Sequence, residues 1–313
     1  MTVVRDEDRS PSASSAVNVP VQFVTFEAML PAAMALRAEE SGAKRDAMDP
    51  LNLMILSVLA GAFISFGAIF ATVVTSGGMD MAPLPYGVSR LLAGLVFSVG
   101  LLMVVIAGAE LFTGNNMIVM AWASGRVSSR ALLTNWGIAY LGNCVGALAT
   151  AALTFVTAQY MFGGGAVGLS ALNVAQGKTT LPFLSAFALG IMCNALVCLA
   201  VWMCYGARTT IDRFVTILPP VTAFVACGFE HSIANVYFIP MGLFIKAGAP
   251  DSFWTSIGRS PEEFPNLTWG NFLGNLVPVT MGNIVGGSVM VAAVYWFVYL
   301  RKPTLGSRGN ESR

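Results

Sequence analysis

Charge is absent from long stretches of this chain and returns in short bursts. Uncharged, mainly apolar runs occupy residues 51–75, 91–109, 114–125, 131–157, 182–206, 214–229, 232–245 and 274–300. A helix needs about 20 apolar residues to cross the hydrocarbon of a bilayer. Residues 51–75, 131–157, 182–206 and 274–300 therefore each read as one crossing. Two regions resolve less simply. Residues 91–125 hold a single charge, Glu110, in a stretch too long for one plain span and too short for two joined by a loop. Residues 214–245 repeat the problem, with Glu230 and His231 in the middle. One broken helix in each region answers both: two half-helices meet at membrane depth around a non-helical turn. Backbone released there must be buried in protein or line a watery cavity. The expectation is an all-α integral membrane protein of six crossings, the second and fifth discontinuous.

The chain also repeats itself. Asn135–Gly146 (NWGIAYLGNCVG) and Asn275–Gly286 (NLVPVTMGNIVG) both fit N-x6-G-N-x-V-G, 140 residues apart. The break points match as well: ELFTGN (Glu110–Asn115) and EHSIAN (Glu230–Asn235) both read E-x4-N, 120 apart. A longer loop at roughly 246–273 accounts for the difference. Each half, about 51–157 and 182–300, has three crossings, so the halves insert with opposite orientation. An inverted 3+3 repeat with paired broken helices is an architecture that handles small solutes near the bilayer midplane. Gly142/Gly146 and Gly282/Gly286 are GxxxG pairs suited to close helix packing.

Loop charges set the orientation. With both termini inside, 13 of the 17 basic residues fall on cytoplasmic segments, leaving Arg90, Lys178, Lys246 and Arg259 outside. That bias favours cytoplasmic termini. Residues 25–50 precede the membrane-spanning domain (51–300) as an amphipathic helix at the cytoplasmic membrane surface. Residues 1–24 and 301–313 read as disordered tails. The first twenty residues lack an apolar core, so no cleavable signal peptide is expected.

Composition agrees with a membrane protein: 56% hydrophobic and 11% charged, against roughly 25% charged in soluble domains. The near-zero net charge points to no nucleic-acid partner. Cys144, Cys193, Cys198, Cys204 and Cys227 lie in apolar runs with no CxxC pair, and read as small buried hydrophobes rather than metal or disulfide sites. A single histidine is too few for a membrane haem enzyme, so neither cofactor, metal nor enzymatic activity is expected.

Candidate chemistry gathers at the breaks. Charges at membrane depth usually face a cavity or a partner. Glu110 and Glu230, with Asn115 and Asn235, read first as support for the half-helices. A carboxylate there can accept free backbone N–H groups and complement the dipole; direct solute contact is the alternative. His231 has no symmetry mate, since Leu111 holds the matching place. An unpaired ring suggests a specific task rather than a satisfied core histidine. Thr113 offers a hydroxyl that could hold one of its ring nitrogens. Asn194 sits mid-way in an uncharged span, where an amide needs a partner or a polar cavity. Phe97 and Leu101, Asn194 and Val197, and Phe224 and His231 fall at helical spacings, which alone means ordinary packing.

Together, ELFTGNNM, GIMCNALVCLAVWM, GFEHSIANVYFIPMGL and NLVPVTMGNIVGG resemble the formate/nitrite transporter family, and within it the formate-channel branch, over residues 25–300. The resemblance implies an aquaporin-like homopentamer in a bacterial inner membrane, each protomer with its own pore. It implies transport of small monovalent anions: formate first, with nitrite, acetate, lactate or hydrosulfide in other branches. By matching motif, His231 resembles the family's pore histidine, Thr113 the threonine that hydrogen-bonds it, and Asn194 the pore asparagine. Phe97, Val197 and Phe224 resemble the periplasmic constriction, Leu101 and Leu111 the cytoplasmic one, and Lys178 a basic residue of the outer vestibule. One departure is Gly114-Asn115-Asn116, where similar formate channels carry small hydroxyl residues. The GN form occurs in other branches, including nitrite members, whereas HSIAN and IPMG sort with formate. A lone anion does not enter an apolar slit cheaply. Lys178 and positive half-helix ends could draw it in, and His231 could lend it a hydrogen bond or a proton. A neutral-solute pore could share the fold, but the NPA repeats of such pores are absent.

Overall fold

The computed structural model describes residues 29–77 and 84–301. Apart from Arg301, the two tails read as disordered lie outside the described residues, as does the start of the 25–50 segment. The described residues are helical, with no strand among them. In the first half run α1 (Pro31–Asp46), α2 (Pro50–Ser76), α3 (Tyr86–Ala107), α4 (Phe112–Asn115), a 3-10 turn, α5 (Val119–Ala123) and α6 (Ser129–Val156). In the second run α7 (Ala166–Thr179), α8 (Phe183–Gly206), α9 (Thr210–Ala226), α10 (Ser232–Gly248) and α11 (Asp251–Ile257). The last span joins α12 (Trp269–Ile284) through a π-helical stretch, Val285–Ala293, to α13 (Val294–Tyr299).

Five spans are individually long and apolar enough to cross: α2, α3, α6, α8 and Trp269–Tyr299. The region read as the broken fifth crossing is divided between α9 and α10, of 17 residues each, and a sixth span comes only from α10 taken with the bent α11. Local sequence sets most ends. Asp49 caps α2 by accepting from the Leu51 and Asn52 amides, with Pro50 in the first turn, where its missing N–H costs nothing. Ser128 caps α6, Thr268 caps α12, and Thr209 with Asp212 forms a capping box on α9. Both breaks use a glycine stop. Gly108 (φ 84°) ends α3 and Gly228 (φ 73°) ends α9, each in the left-handed region that side chains avoid.

The helices pair as the repeat predicts. α2 packs on α6, and α8 on α12, at glycines. A Cβ on Gly146 would overlap the Val58 carbonyl oxygen, and one on Gly282 would overlap that of Phe187. α3 and α9 lie side by side and antiparallel, each nearly a full crossing. This is a shift from the expectation of half-helices meeting midway: 22 residues of α3 reach about 33 Å, so the chain doubles back before α4 and α10 begin.

Two helices lie in segments read as connections. α7 occupies 166–179, between the repeats, and packs on α10; its 14 residues, with Gly, Asn, Gln and Lys among them, carry no span signal. α11 lies in the 246–273 loop, turned 111° from α10. α1 is amphipathic as expected, with Met34, Ala35, Ala38 and Gly42 buried, but those residues face protein. Gly42 sits over Ile118 and Ala121 of the first broken segment.

Candidate functional site

The two breaks are built by the same hydrogen bonds, from matching residues. Asn143 of α6 accepts from the Phe112 amide (2.8 Å) and donates to the Glu110 and Ser57 carbonyls (2.9 and 2.7 Å). Asn283 of α12 accepts from the Ser232 amide (2.9 Å) and donates to the Glu230 and Gly190 carbonyls (2.9 and 2.8 Å). Each asparagine is fully buried and serves backbone groups that the helix break leaves without partners. The glutamates therefore do something other than the capping expected of them. Glu230 takes Lys178 Nζ at 2.8 Å on one oxygen and Asn235 Nδ2 at 2.6 Å on the other. Glu110 faces Arg45 Nε at 3.6 Å, and Arg45 also donates to Asn115 Oδ1 at 3.0 Å. Asn115 is braced by Asn135, and Asn235 by Asn275 (3.0 and 2.8 Å). Those two braces return to the backbone of Arg45 and Lys178 (3.2 and 2.9 Å). The correspondence between halves thus reaches back to α1 and α7: each supplies the cation for its half's glutamate.

Two cavities approach the breaks from opposite sides. The α7-side cavity, about 350 Å3, is lined by Arg90, Phe97, Lys178, Phe224, Glu230, His231, Asn235 and Phe238, among others. The α1-side cavity, about 250 Å3, is lined by Arg45, Leu101, Val104, Glu110, Leu111, Gly114, Val201 and Arg213, among others. No described residue lines both. Phe97 and Leu101, one turn apart on α3, face opposite cavities, so the wall between is about one helical turn thick. Phe97 meets Phe224 edge-on at 5.8 Å, and Phe224 stacks on His231 at 6.1 Å.

The polar joint in this wall is Thr113 with His231, 3.0 Å apart between Oγ1 and Nε2. Thr113 is fully buried and lines neither cavity. His231 is the cap of α10: its Nδ1 accepts from the Ala234 amide at 3.1 Å. A nitrogen that accepts carries no proton, so the ring proton is assigned to Nε2, donating to Thr113 Oγ1.

Two sequence candidates sit elsewhere. Asn194 and Val197 of α8 line neither cavity. The Asn194 amide nitrogen faces three acceptors: the Asn283 and Thr113 carbonyls (2.7 and 3.3 Å) and Asn116 Oδ1 (2.8 Å). It ties α8 and α12 to the turn bearing Thr113. Lys178, Glu230 and Asn235 gather on the α7-side cavity, and Leu101, Leu111 and Glu110 on the α1-side cavity, while Asn115 is buried behind the latter. Sequence reading missed Asn143 and Asn283 as site builders, although both stand in the repeated motif. It also missed Arg45, Arg90 and Arg213, for which position in the fold is the only signal. No group of three or more His, Cys, Asp or Glu able to hold a metal occurs among the described residues.

Long helices in two inverted sets, paired broken segments and a polar joint between two cavities define a membrane transporter of the inverted-repeat class. The chain belongs to the formate/nitrite transporter family, whose model matches residues 32–297. The formate channel FocA of Escherichia coli (strain K12) is 45% identical over 278 residues, covering 88% of this chain and 96% of that one. Formate channel FocA of Haemophilus influenzae is 38% identical over 271 residues, covering 86% and 94%. A solved structure described as a pentameric formate channel with formate bound shares 46% identity at a TM-score of 0.76, covering 80% of this chain and 98% of that one. The family is one of transporters, not enzymes.

Proposed function

We propose that this chain is a channel for small monovalent weak-acid anions, formate foremost. It works as a homopentamer with one pore per protomer, in a bacterial inner membrane, with both termini and the α1-side cavity cytoplasmic. The observation that carries the reading is the Thr113–His231 joint: one titratable ring in an apolar wall, with cations lining the cavity on either side. The similarity to formate channels supports the choice of anion and the pentamer.

In this reading Lys178 and the positive ends of the half-helices draw the anion toward the wall. Phe97, Val197 and Phe224 form the narrowing on the α7 side, and Leu101 and Leu111 the one on the α1 side. Asn194 acts indirectly, by holding the Thr113 turn. His231 compensates the anion for lost water. Swung off Thr113, its Nε2–H donates a hydrogen bond to the carboxylate. Giving up a proton asks more: a second proton must first bind Nδ1, which displaces the Ala234 amide, and only the resulting imidazolium can yield Nε2–H to formate. The acid then passes neutral and returns the proton on leaving.

Gly114-Asn115-Asn116 favours nitrite as a second substrate, but only Gly114 lines a cavity. Asn115 and Asn116 are fully buried in bracing contacts, so the motif bears on the scaffold more than on the path. The test is flux in proteoliposomes of formate, nitrite, chloride and glycerol, at neutral and acidic pH, for wild type and His231→Asn. Formate should exceed chloride and glycerol, and its pH response should vanish in the variant. Glycerol passing as fast as formate would return the protein to the neutral pores. A rate and pH profile untouched by His231→Asn would rule out the proton-donor role.

A further inference from the structure

We infer that Arg213 is an anion-binding residue of the α1-side cavity, giving that side a docking step for the transported anion that the α7 side lacks. The inference rests on the channel reading above. Four cations line the two cavities: Arg90 and Lys178 on the α7 side, Arg45 and Arg213 on the α1 side. Three are committed. Lys178 is held by Glu230 at 2.8 Å. Arg90 donates to the Ala226 carbonyl at 3.2 Å and to that of Val225, capping the C-terminal end of α9. Arg45 is divided between Glu110 and Asn115. The Arg213 guanidinium alone has no hydrogen-bond or ion-pair partner among the described residues.

Its neighbours do not neutralise it. Asp212 precedes it in sequence, so the two side chains leave α9 in different directions, and the Asp212 carboxylate accepts from the Arg208 and Thr209 amides. Glu110 belongs to Arg45. Arg213 also lines the adjoining mouth, about 370 Å3, together with Arg37, Glu40, Lys44 and Arg45. There Arg37 donates to the Tyr205 carbonyl at 2.8 Å, and Lys44 faces Glu40 at 3.4 Å. Arg213 thus stands where the mouth meets the inner cavity, its fork of N–H donors open to a carboxylate or another small planar anion.

A passive pore must have equal permeability in both directions at low concentration, so a docking step shows in saturation, not in that limit. Formate transport is measured from each side in inside-out and right-side-out membrane vesicles, at low ionic strength, over a range of concentrations. Arg213→Gln should raise the half-saturating concentration from the α1 side about fivefold and leave the α7-side value unchanged. Arg213→Lys should retain most of the wild-type value. Impermeant salt should raise the wild-type α1-side value toward that of Arg213→Gln and leave the variant unmoved. An unchanged α1-side value in Arg213→Gln, or an equal shift on both sides, overturns the assignment while transport itself survives. Absence of formate transport in wild type overturns the channel reading instead, and this inference with it.

Discussion

Replacing Asn283 with alanine tests whether the buried asparagines, and not the glutamates, hold the breaks. The Asn283 side chain has three partners at 2.8–2.9 Å: the Ser232 amide and the Glu230 and Gly190 carbonyls. Alanine supplies none. Gly190 lies within α8, where its carbonyl keeps a helical partner. The Ser232 amide and Glu230 carbonyl flank the non-helical residue 231 and have no such fallback. Each buried backbone group left without a partner costs about 1–3 kcal/mol, so Asn283→Ala should destabilise the fold by about 2–6 kcal/mol. Asn143→Ala, stripping Phe112 and Glu110 in the same way, should fall in the same range. Asn271→Ala is the control: it loses an exposed bond to the Asn266 carbonyl and should cost about 1 kcal/mol or less. Denaturant unfolding of the purified protein in one detergent, read by the folded fraction on size exclusion, measures all three. Asn283→Ala within 1 kcal/mol of Asn271→Ala would falsify this account of the breaks.

The two glutamate pairs should differ despite their common plan. Lys178→Met leaves Glu230 buried and unpaired and should cost about 3–5 kcal/mol, most of it recovered by adding Glu230→Gln; Arg45→Met, at a longer and more exposed pair, should cost clearly less. Unfolding of the singles and the double in the same detergent checks both statements. Thr113→Val keeps the shape but leaves His231 Nε2–H without its acceptor. It should lose about 1–3 kcal/mol, while Thr113→Ser stays near wild type, and thermal unfolding separates the two. On the α1 surface, the hydrogen bond and charge of Arg126 hold the Glu40 carboxyl below its ordinary value of 4.5. A lowered folded pKa means this attachment is fully present above that value and lost as pH falls through the depressed one. Amide exchange in α1, corrected for intrinsic rate, should therefore speed up in acid for wild type, and Arg126→Gln should show that faster exchange already at pH 7.

The spans were legible because charge is costly inside a bilayer, so runs such as 131–157 and 182–206 declare themselves. The breaks were legible because a glycine stop and an E-x4-N motif recur at the same spacing. What sequence could not show was who pairs with whom. Glu110 and Glu230 look like caps in one dimension, since a carboxylate beside a half-helix is a sound cap. Only the fold reveals that Asn143 and Asn283 arrive first and leave the carboxylates to Arg45 and Lys178. The cations were hidden for a further reason. Arg45 and Lys178 differ in type, and they lie 133 residues apart where the breaks are 120 apart and the asparagines 140. No single offset exposes the whole repeat. α7 escaped because a short helix packed on protein needs no span-length apolar run. Asn194 reads in sequence as an amide needing a partner or a polar cavity; its acceptors are the Thr113 and Asn283 carbonyls and Asn116 Oδ1 of the scaffold.

The two breaks share their asparagines and glutamates but differ at all four residues between, and His231 is the one titratable group among those. Asparagines, glutamates and a paired cation recur in both halves, whereas Leu111, Phe112, Thr113 and Gly114 stand opposite His231, Ser232, Ile233 and Ala234. Leu111 and His231 both occupy the N-cap position of the helix after the break, Leu111 before α4 and His231 before α10, 3% exposed in each case. Leucine there satisfies every packing demand of the break and lines the α1-side cavity with a methyl surface. Histidine fills the same place, caps α10 through Nδ1, and still has Nε2 to offer the wall. The scaffold therefore requires no ring at this position, since one half is built without it. Thr113, reaching from the first half to the second half's ring, makes the joint the only place where the two breaks bond side chain to side chain among the described residues. His231 lines the α7-side cavity, whereas Leu111 lines the α1-side cavity, from which Thr113 separates Nε2. The polarity of the wall is thus one-sided: the ring lines the α7-side cavity, and the Thr113 turn behind it is held by Asn194 and Asn143.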